Sequence, residues 1–519
     1  MVGIESGVDD RTSRFLSLFV PSGVESQGFP FRSLGARLSI DQDWARTATG
    51  QTLLLTAANL LGRFVGRIEL DVPSVSMVSP LGSRNTDLYG AAQDMASMSR
   101  PGQERPELGR TATEGLPSVQ IGEGADRNAF VVRASARGWR AELGSRNPHL
   151  PGSAEDSNPI GALLAAAFSA SEVFKEILRN AGSTRRSVCN PLASFSFSGF
   201  DFSIDSKAGP GPLLRGELSL TTTLVGAGAV ANSIAFALGS LGHADSHVRV
   251  IDPDELDESN LNRHLIAARP DVGRPKAEVL AAFLRSHGVS TVCDVAKYQD
   301  VRERLSKIEM RLAVSTVDND EARIALQSDL PELLLHGATD GDVAVVSRLD
   351  FLDGACLGCL FFEQSRSFAE SVADDTGLPL NEVIRLLETH GELTIAHVDR
   401  IIARRGARFE SLRPLAGTPF AQVYATQICG VMKVDVGETH ISPTVSFVSA
   451  LPGFLIAAEL AKSVYPEYDR HHLRNYLAVS LFAPDYRQVL YRPKDSRCRC
   501  LCFDPIMSSS YRRKWGLRT

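Results

Sequence analysis

The sequence predicts an α/β fold built on a mostly parallel sheet. Three observations predict it: a glycine loop set between an apolar strand and a small-residue helix, strand and helix patterns that alternate after it, and a fainter echo of the same pattern earlier in the chain. In order, "TTTLV" (221–225) reads as a buried strand, Gly226 and Gly228 as the turn, and the residues from Ala229 to Leu241 as a helix. "HVRVID" then reads as a second strand ending at Asp252. A helix predicted over 275–286 and the strands "VSTVCDVA" and "MRLAVSTVD" continue the alternation. Such a succession folds as a Rossmann-like sheet with ligand sites at the carboxyl ends of its strands.

Further on, Leu380, Val383, Ile384 and Leu387 fall on one helical face, and Ile395, Val398, Ile401 and Ile402 on another. Pro379 suits the start of the first helix and Gly406 the stop of the second. The pair reads as a small helical insertion, after which the chain returns to a strand-like "SPTVSFVSA" and a long apolar helix. The first ~200 residues have no glycine loop, yet 159–178 resembles 449–465 and 53–73 resembles 233–253. An internal duplication with a degenerate first copy is the economical reading. The expected domains are a degenerate copy at 1–205, an active domain at 206–361, a helical insertion at 362–425 and the rest of the active domain at 426–519. Within the first copy, 79–128 is rich in Gly, Ser, Pro and Arg and reads as a long loop, and 184–216 reads as a linker.

With 519 residues the chain is long enough for two or three domains. Its 55 basic and 61 acidic residues, net −6, form no long run of either sign, which argues against a nucleic-acid partner. The N-terminus carries acids where a signal peptide carries Lys or Arg, and no apolar run reaches the ~20 residues that cross a bilayer. A soluble cytoplasmic protein with no membrane partner is expected, its eight cysteines reduced.

In "LVGAGAVANS" the two glycines let the backbone approach phosphate, and the helix that begins at Ala229 aims N–H groups at it; Ala231 takes the place of a third glycine. Asp252 stands where a carboxylate accepts from ribose hydroxyls. The run "DESNLNRHLIAARPDVGRPK" adds Asn260, Arg263 and, thirteen residues after the arginine, Lys276. Two cations placed beyond the ribose carboxylate suit attack on a phosphate rather than hydride transfer, so a nicotinamide oxidoreductase is set aside. Asp318, followed by Asn319, ends a third strand, where a carboxylate can hold Mg²⁺ against phosphates.

The motif "SNLNRH…DVGRPK…STVDN" resembles that of the ubiquitin-activating enzymes and their relatives ThiF and MoeB, closely over about 220–360 and more loosely over 425–502. The resemblance implies that Asp252, Asn260, Arg263, Lys276 and Asp318 bind ATP and magnesium, and that an inactive adenylation copy precedes the active one. His264 stands where that family more often has glutamine. The family's partner domain usually adds an arginine, for which Arg14 is the candidate.

Cys356 and Cys359 form "CLGC", and Cys498, Cys500 and Cys502 form "CRCLC". A C-x-x-C with a second cysteine cluster reads as a structural Zn²⁺ site, without deciding which two of the late cysteines bind. Cys429 lies about where the activating enzymes carry their thioester cysteine, and its neighbours Ile428 and Gly430 equally suit a buried filler. Cys189 and Cys293 read as linker and strand residues, and His336 as a loop residue.

The leading expectation is therefore an ATP-dependent enzyme that adenylates the C-terminal glycine of a small ubiquitin-like protein, takes it onto Cys429 and passes it to a conjugating enzyme. The alternatives are an adenylyltransferase for a sulfur-carrier protein, like ThiF and MoeB, and a non-catalytic nucleotide-binding scaffold. A homodimer stays open.

Overall fold

The computed structural model describes residues 34–517 except 83–86, 99–106, 110–114, 125–129, 145–146, 181–191, 193, 205–208, 215, 362–368, 370–371, 374–375, 406, 425–433, 437–438, 442–444, 464–474, 485–486, 495–501 and 503. The first half of the chain runs β1 (Gly35–Ile40), α1 (Ala48–Gly62), β2 (Arg67–Asp71), α2 (Leu88–Ser97), β3 (Glu107–Gly109), β4 (Ser118–Ile121), β5 (Val131–Arg137), β6 (Arg140–Leu143), α3 (Ile160–Asn180) and β7 (Phe195–Ser198). The second begins β8 (Thr221–Val225), α4 (Ala229–Gly239), β9 (His247–Ile251), α5 (Lys276–Ser286), β10 (Ser290–Asp294), β11 (Leu312–Ser315), α6 (Asp320–Ser328), β12 (Leu333–Asp340) and β13 (Val343–Leu349).

A separate compact unit follows, made of Gly358–Pro443 with 495–499. The chain enters it through α7 (Leu357–Phe361), and it contains α8 (Leu380–Glu388), α9 (Ile395–Arg405) and the short pair β14 (Val434–Val436) and β15 (Thr439–Ile441). Of the predicted apolar faces, Val383, Val398 and Ile401 enter this unit's own core with Leu387 and Ile402 packed against them, whereas Leu380, Ile384 and Ile395 are exposed and Leu386, which was not on the predicted face, is buried instead. The chain then returns as α10 (Ser446–Ser463), β16 (Tyr476–Ser480), β17 (Arg487–Leu490) and α11 (Pro505–Trp515), and residues 446–450, expected in a strand, instead form the first turn of α10, whose apolar residues are buried all round.

The two halves repeat one topology. The first sheet has the order β3-β2-β1-β4-β5-β6-β7, and the second β10-β9-β8-β11-β12-β13-β16-β17. The first seven positions match one for one, with parallel pairing as far as β5 or β12 and antiparallel pairing beyond. The resemblances noted in the sequence superpose α1–β2 on α4–β9 and α3 on α10. Both halves belong to one compact unit, because the helices between the sheets share a core. Phe64 and Phe174 of the first half meet Phe447 of the second with ring centroids 5.3–5.7 Å apart.

The repetition extends to buried charge. On α3, Glu172 pairs with Lys175 at 2.5 Å, and Lys175 donates to the Phe482 carbonyl beyond β16. On α10, Glu459 pairs with Lys462 at 2.5 Å, and Lys462 donates to the Phe200 carbonyl beyond β7. Each half thus inserts one ion pair against the end of the other half's sheet, and all four side chains are at most 2% exposed.

The stretch 79–128 departs from expectation: it carries α2, β3 and β4 rather than one long loop. Its helix buries small residues, Ala91, Ala92 and Ala96, and packs so near α1 that a Cβ on Gly62 would stand 2.2 Å from the Ala96 carbonyl oxygen. Small residues permit that approach, and they also remove the large apolar side chains by which a helix is read.

Candidate functional site

Strand β8 ends at Val225, and the chain turns at Gly226 with φ +97°. A Cβ there would lie 2.8 Å from Thr316 Oγ1 in an already strained conformation, so the position demands glycine. Thr316, just past β11, donates to the Gly226 carbonyl at 3.1 Å and fastens the loop. Gly228 caps α4, and a Cβ on it would meet no atom within 4 Å. The loop's outer side is therefore open to an approaching phosphate, with the N–H groups of the first turn from Ala229 and the helix dipole favouring an anion there.

Asp252 is buried at the end of β9. Its Oδ2 accepts from the Ala227 N–H at 2.6 Å and its Oδ1 from the Asp254 N–H at 2.9 Å. Burial raises its pKa, opposed by those two N–H groups and by the Lys276 charge. A carboxylate oxygen has more than one acceptor position, so ribose hydroxyls can still donate to it.

Lys276 reaches the same place through a clasp. Leu256 donates to the Arg274 carbonyl at 2.8 Å, Gly273 to the Leu256 carbonyl at 2.8 Å, and the Lys276 N–H to the Asp254 carbonyl at 2.9 Å. These bonds close the intervening segment and set Lys276 Nζ 2.8 Å from Asp254 Oδ2. Within the segment, Asn260 Oδ1 accepts from the Asp257 N–H at 3.0 Å, while Asp257 Oδ1 accepts from Ser259 N–H at 2.8 Å. Arg263 Nη1 donates to the Ser259 carbonyl at 2.8 Å and to Asn262 Oδ1 at 2.9 Å.

Asp318 and Asn319 are exposed between β11 and α6; Asn319 is the N-cap of α6, its Oδ1 accepting from the Ala322 N–H at 2.8 Å. β8 lies between β9 and β11, all three parallel, so the glycine loop, Asp252 and Asp318 sit at the carboxyl ends of three adjacent strands, where the reversal of strand order leaves a crevice. Arg14 and Cys429 lie outside the described residues, as do Cys189, Cys498 and Cys500.

The structure brings Cys356, Cys359 and Cys502 together, with their sulfurs within 4.8 Å of one another. Thiolates bound tetrahedrally at ~2.3 Å stand ~3.8 Å apart, so this donor set fits zinc. Gly354 turns the chain into the first cysteine with φ +73°, where a Cβ would strike Asn475 Nδ2 at 2.3 Å; Ala355 donates to the Arg492 carbonyl at 2.8 Å, and Lys494 donates to the Cys502 carbonyl at 3.3 Å.

Cys293 lies in β10. His336, expected in a loop, instead lies fully buried in β12. Burial, then the Arg323 charge, pulls its pKa down to about 3, so it is neutral and serves the core. The strand begins at Leu333, three residues before it.

Two residues escaped the sequence reading. Asn232 donates to the Ala227 and Gly228 carbonyls at 3.1 and 3.0 Å and lies 3.2 Å from His264 Nδ1, linking the glycine loop to the Asn-Arg-His run. A lone amide one turn into a small-residue helix was its signal. Arg63, at the end of α1, reaches from the first half to the same run; a single cation between apolar neighbours was the clue there. A polar cavity of about 390 Å³ does exist in the first half, beside β1 and β4. Its carboxylates Asp41, Asp71 and Glu123 outnumber Arg37, which does not suit a nucleotide.

Residues 218–500 match the model of the ThiF family, and residues 35–192 that of the BilD N-terminal domain. An uncharacterised protein, y4jF, of Sinorhizobium fredii is 29% identical over 92% of this chain and 91% of its own length. The NEDD8-activating enzyme E1 catalytic subunit of Dictyostelium discoideum is 30% identical over 31% of this chain and 36% of its own, and the SAMP-activating enzyme E1 of Haloferax volcanii 31% identical over 30% and 58%. The chain thus spans between a third and three fifths of those two enzymes. Among solved structures, E. coli MccB with MccA aligns at a TM-score of 0.36 and 14% identity over 72% of this chain and 98% of that one, a likeness too slight to carry an argument.

Proposed function

Because the chain belongs to the ThiF family, we propose that it uses ATP to adenylate the C-terminal glycine of a small ubiquitin-like protein, then takes that protein onto Cys429 and passes it to a conjugating enzyme. The membership supports ATP-dependent adenylation of a ubiquitin-like or peptide substrate; the identity of the substrate, the thioester and the handover are this proposal's further steps. The observation that carries it is the clasp that seats Lys276 beside Asp252 at the mouth of the glycine loop.

The chemistry asks little of a general base. An α-carboxyl titrates near ~3.5, so the substrate arrives as a carboxylate. Its oxygen attacks the α-phosphorus, a carboxyl–phosphate bond forms, and the bond to pyrophosphate breaks. Asp252 holds the ribose, the glycine loop and α4 receive the phosphates, and Arg263 and Lys276 neutralise charge that builds between two anions. Mg²⁺ supplies further neutralisation on the phosphates when bound, and the exposed carboxylate of Asp318 is suited to hold it. In the second step the Cys429 thiolate attacks the acyl carbonyl and AMP leaves. Thiol chemistry of this kind needs a reducing compartment, which is why the proposal sets it in the cytoplasm.

The test is to incubate the protein with ATP and a glycine-ended ubiquitin-like protein and to run a non-reducing gel. A thiol-sensitive adduct is expected, and it should vanish in Cys429→Ala while pyrophosphate release persists. Pyrophosphate release without any adduct in the wild type would remove the thioester and leave a sulfur-carrier type of adenylyltransferase. No pyrophosphate release with any such substrate would remove the adenylation itself.

Cys356, Cys359 and Cys502, with Cys498 or Cys500, are proposed to hold a structural zinc ion. Metal analysis of the purified chain should find zinc in equal amount, and Cys356→Ser should lose it and lower the melting temperature. Full zinc occupancy in that variant would sink the assignment.

A further inference from the structure

We propose that Arg63 is a positioning residue for the phosphate clamp: from the degenerate half it anchors the 258–267 segment that carries Asn260 and Arg263, so that the first half is required for triphosphate binding in the second. The role of that segment rests on the adenylation reading; the anchoring rests on contacts.

Arg63 follows the last turn of α1 and is 4% exposed. Its Nη1 donates to the Leu261 carbonyl, and its Nη2 donates to the Leu265 carbonyl at 2.8 Å and the Ala267 carbonyl at 3.4 Å. Its Nε donates to Asn59 Oδ1 at 2.7 Å, and Asn59 Nδ2 donates to the same Leu265 carbonyl at 2.9 Å. One side-chain pair on α1 therefore satisfies three carbonyls on either side of Arg263. The segment's internal bonds, Arg263 and His264 N–H to the Asn260 carbonyl at 3.0 Å and Ala267 N–H to the His264 carbonyl at 3.1 Å, do not use those three.

Buried carbonyls left without donors are costly, so the segment's shape depends on the arginine. Its apolar residues Leu261, Leu265, Ile266 and Ala267 are buried, but apolar contacts supply no hydrogen bonds to those carbonyls. The choice of arginine follows from its planar fork, which spans separated acceptors where a lysine ammonium offers one point charge. Desolvation pulls the guanidinium down to about 9, still above neutral pH, so it remains a cation held only by neutral oxygens.

The experiment compares the wild type with Arg63→Met and Arg63→Lys. Hydrogen exchange should speed up at amides in 261–267 of Arg63→Met, with β8 and β9 protected as before. Affinity for Mg·ATP, followed by calorimetry, should fall roughly 10–100-fold, as for lost outer-shell partners. Affinity for adenosine, which lacks phosphates, should hold, and Arg63→Lys should recover part of the loss. Unchanged exchange in 261–267 overturns the proposal, and so does an equal loss for adenosine and Mg·ATP, which a merely structural role would give. Should Arg63→Met fail to fold, Asn59→Ala must show the same pattern more weakly, and its absence counts against the anchor. If the wild type binds neither Mg·ATP nor adenosine, the adenylation reading fails, and the hydrogen exchange alone decides whether Arg63 holds the segment.

Discussion

Replacing Lys276 by alanine is expected to lower ATP–pyrophosphate exchange about 10²–10³-fold while leaving the melting temperature close to that of the wild type. The magnitude is what the loss of one preorganised charge-stabilising group costs a reaction that builds anionic charge. Folding should survive because the partner it leaves, Asp254, is itself largely exposed, and the backbone clasp around it does not use the side chain. Surface pairs of this kind contribute ~0–1 kcal/mol. The pairing also makes a second expectation: Asp254→Asn frees the ammonium without removing it, so exchange should persist. An Asp254→Asn variant as inactive as Lys276→Ala would mean that the ion pair, not the cation, is what matters. Undiminished exchange in Lys276→Ala would take the clamp out of the mechanism.

The candidate site was legible in the sequence where chemistry-bearing residues gather in a short stretch. Gly226, Asp252, Lys276 and Asp318 could be placed because each ends a strand or opens a helix, and those boundaries follow from alternation of apolar and polar residues. What holds them was not legible. The clasp between 254–256 and 273–276 is made by backbone atoms, which leave no mark on side-chain pattern. Arg63 lies some two hundred residues from the carbonyls it satisfies, and nothing local distinguishes it from a helix-end cation.

The duplication was visible as two faint resemblances, and the coordinates extend it to seven strands in the same order. The extension was hidden for a physical reason. A degenerate copy keeps its buried small residues and short strands, as α2 and β4 do, while losing the glycine loop that made the other copy recognisable. His336 failed in a different way: a polar side chain in a strand core contradicts the pattern from which strands are read.

Lys175→Met is expected to destabilise the folded chain by ~3–5 kcal/mol, the cost of leaving a buried charge without its partner. Glu172 already has its pKa raised by burial and held down by Lys175, with the Leu192 N–H as a lesser support. Without the lysine that carboxyl rises further. A carboxyl whose folded pKa exceeds its unfolded value, ~4.3, contributes stability that is fully present below that pH and lost as the pH climbs through the folded pKa. Urea unfolding should therefore show the variant weakest near neutral pH and recovering toward pH ~4, whereas a simple packing defect would be as severe at both. The paired replacement Glu172→Leu with Lys175→Met should regain most of the loss, since apolar residues of similar volume often match or exceed a buried ion pair. Lys462→Met should behave alike, because its ammonium meets the Phe200 carbonyl at 2.9 Å as Lys175 meets that of Phe482 at 3.2 Å. The two pairs then have a common role: each lysine crosses from one half to a carbonyl at the end of the other's sheet, fixing the register between halves that apolar helices of Ala, Leu and Phe would leave loosely specified. A Lys175→Met protein as stable as the wild type across this range, or a double variant no better than the single one, would show that the halves are registered by packing alone.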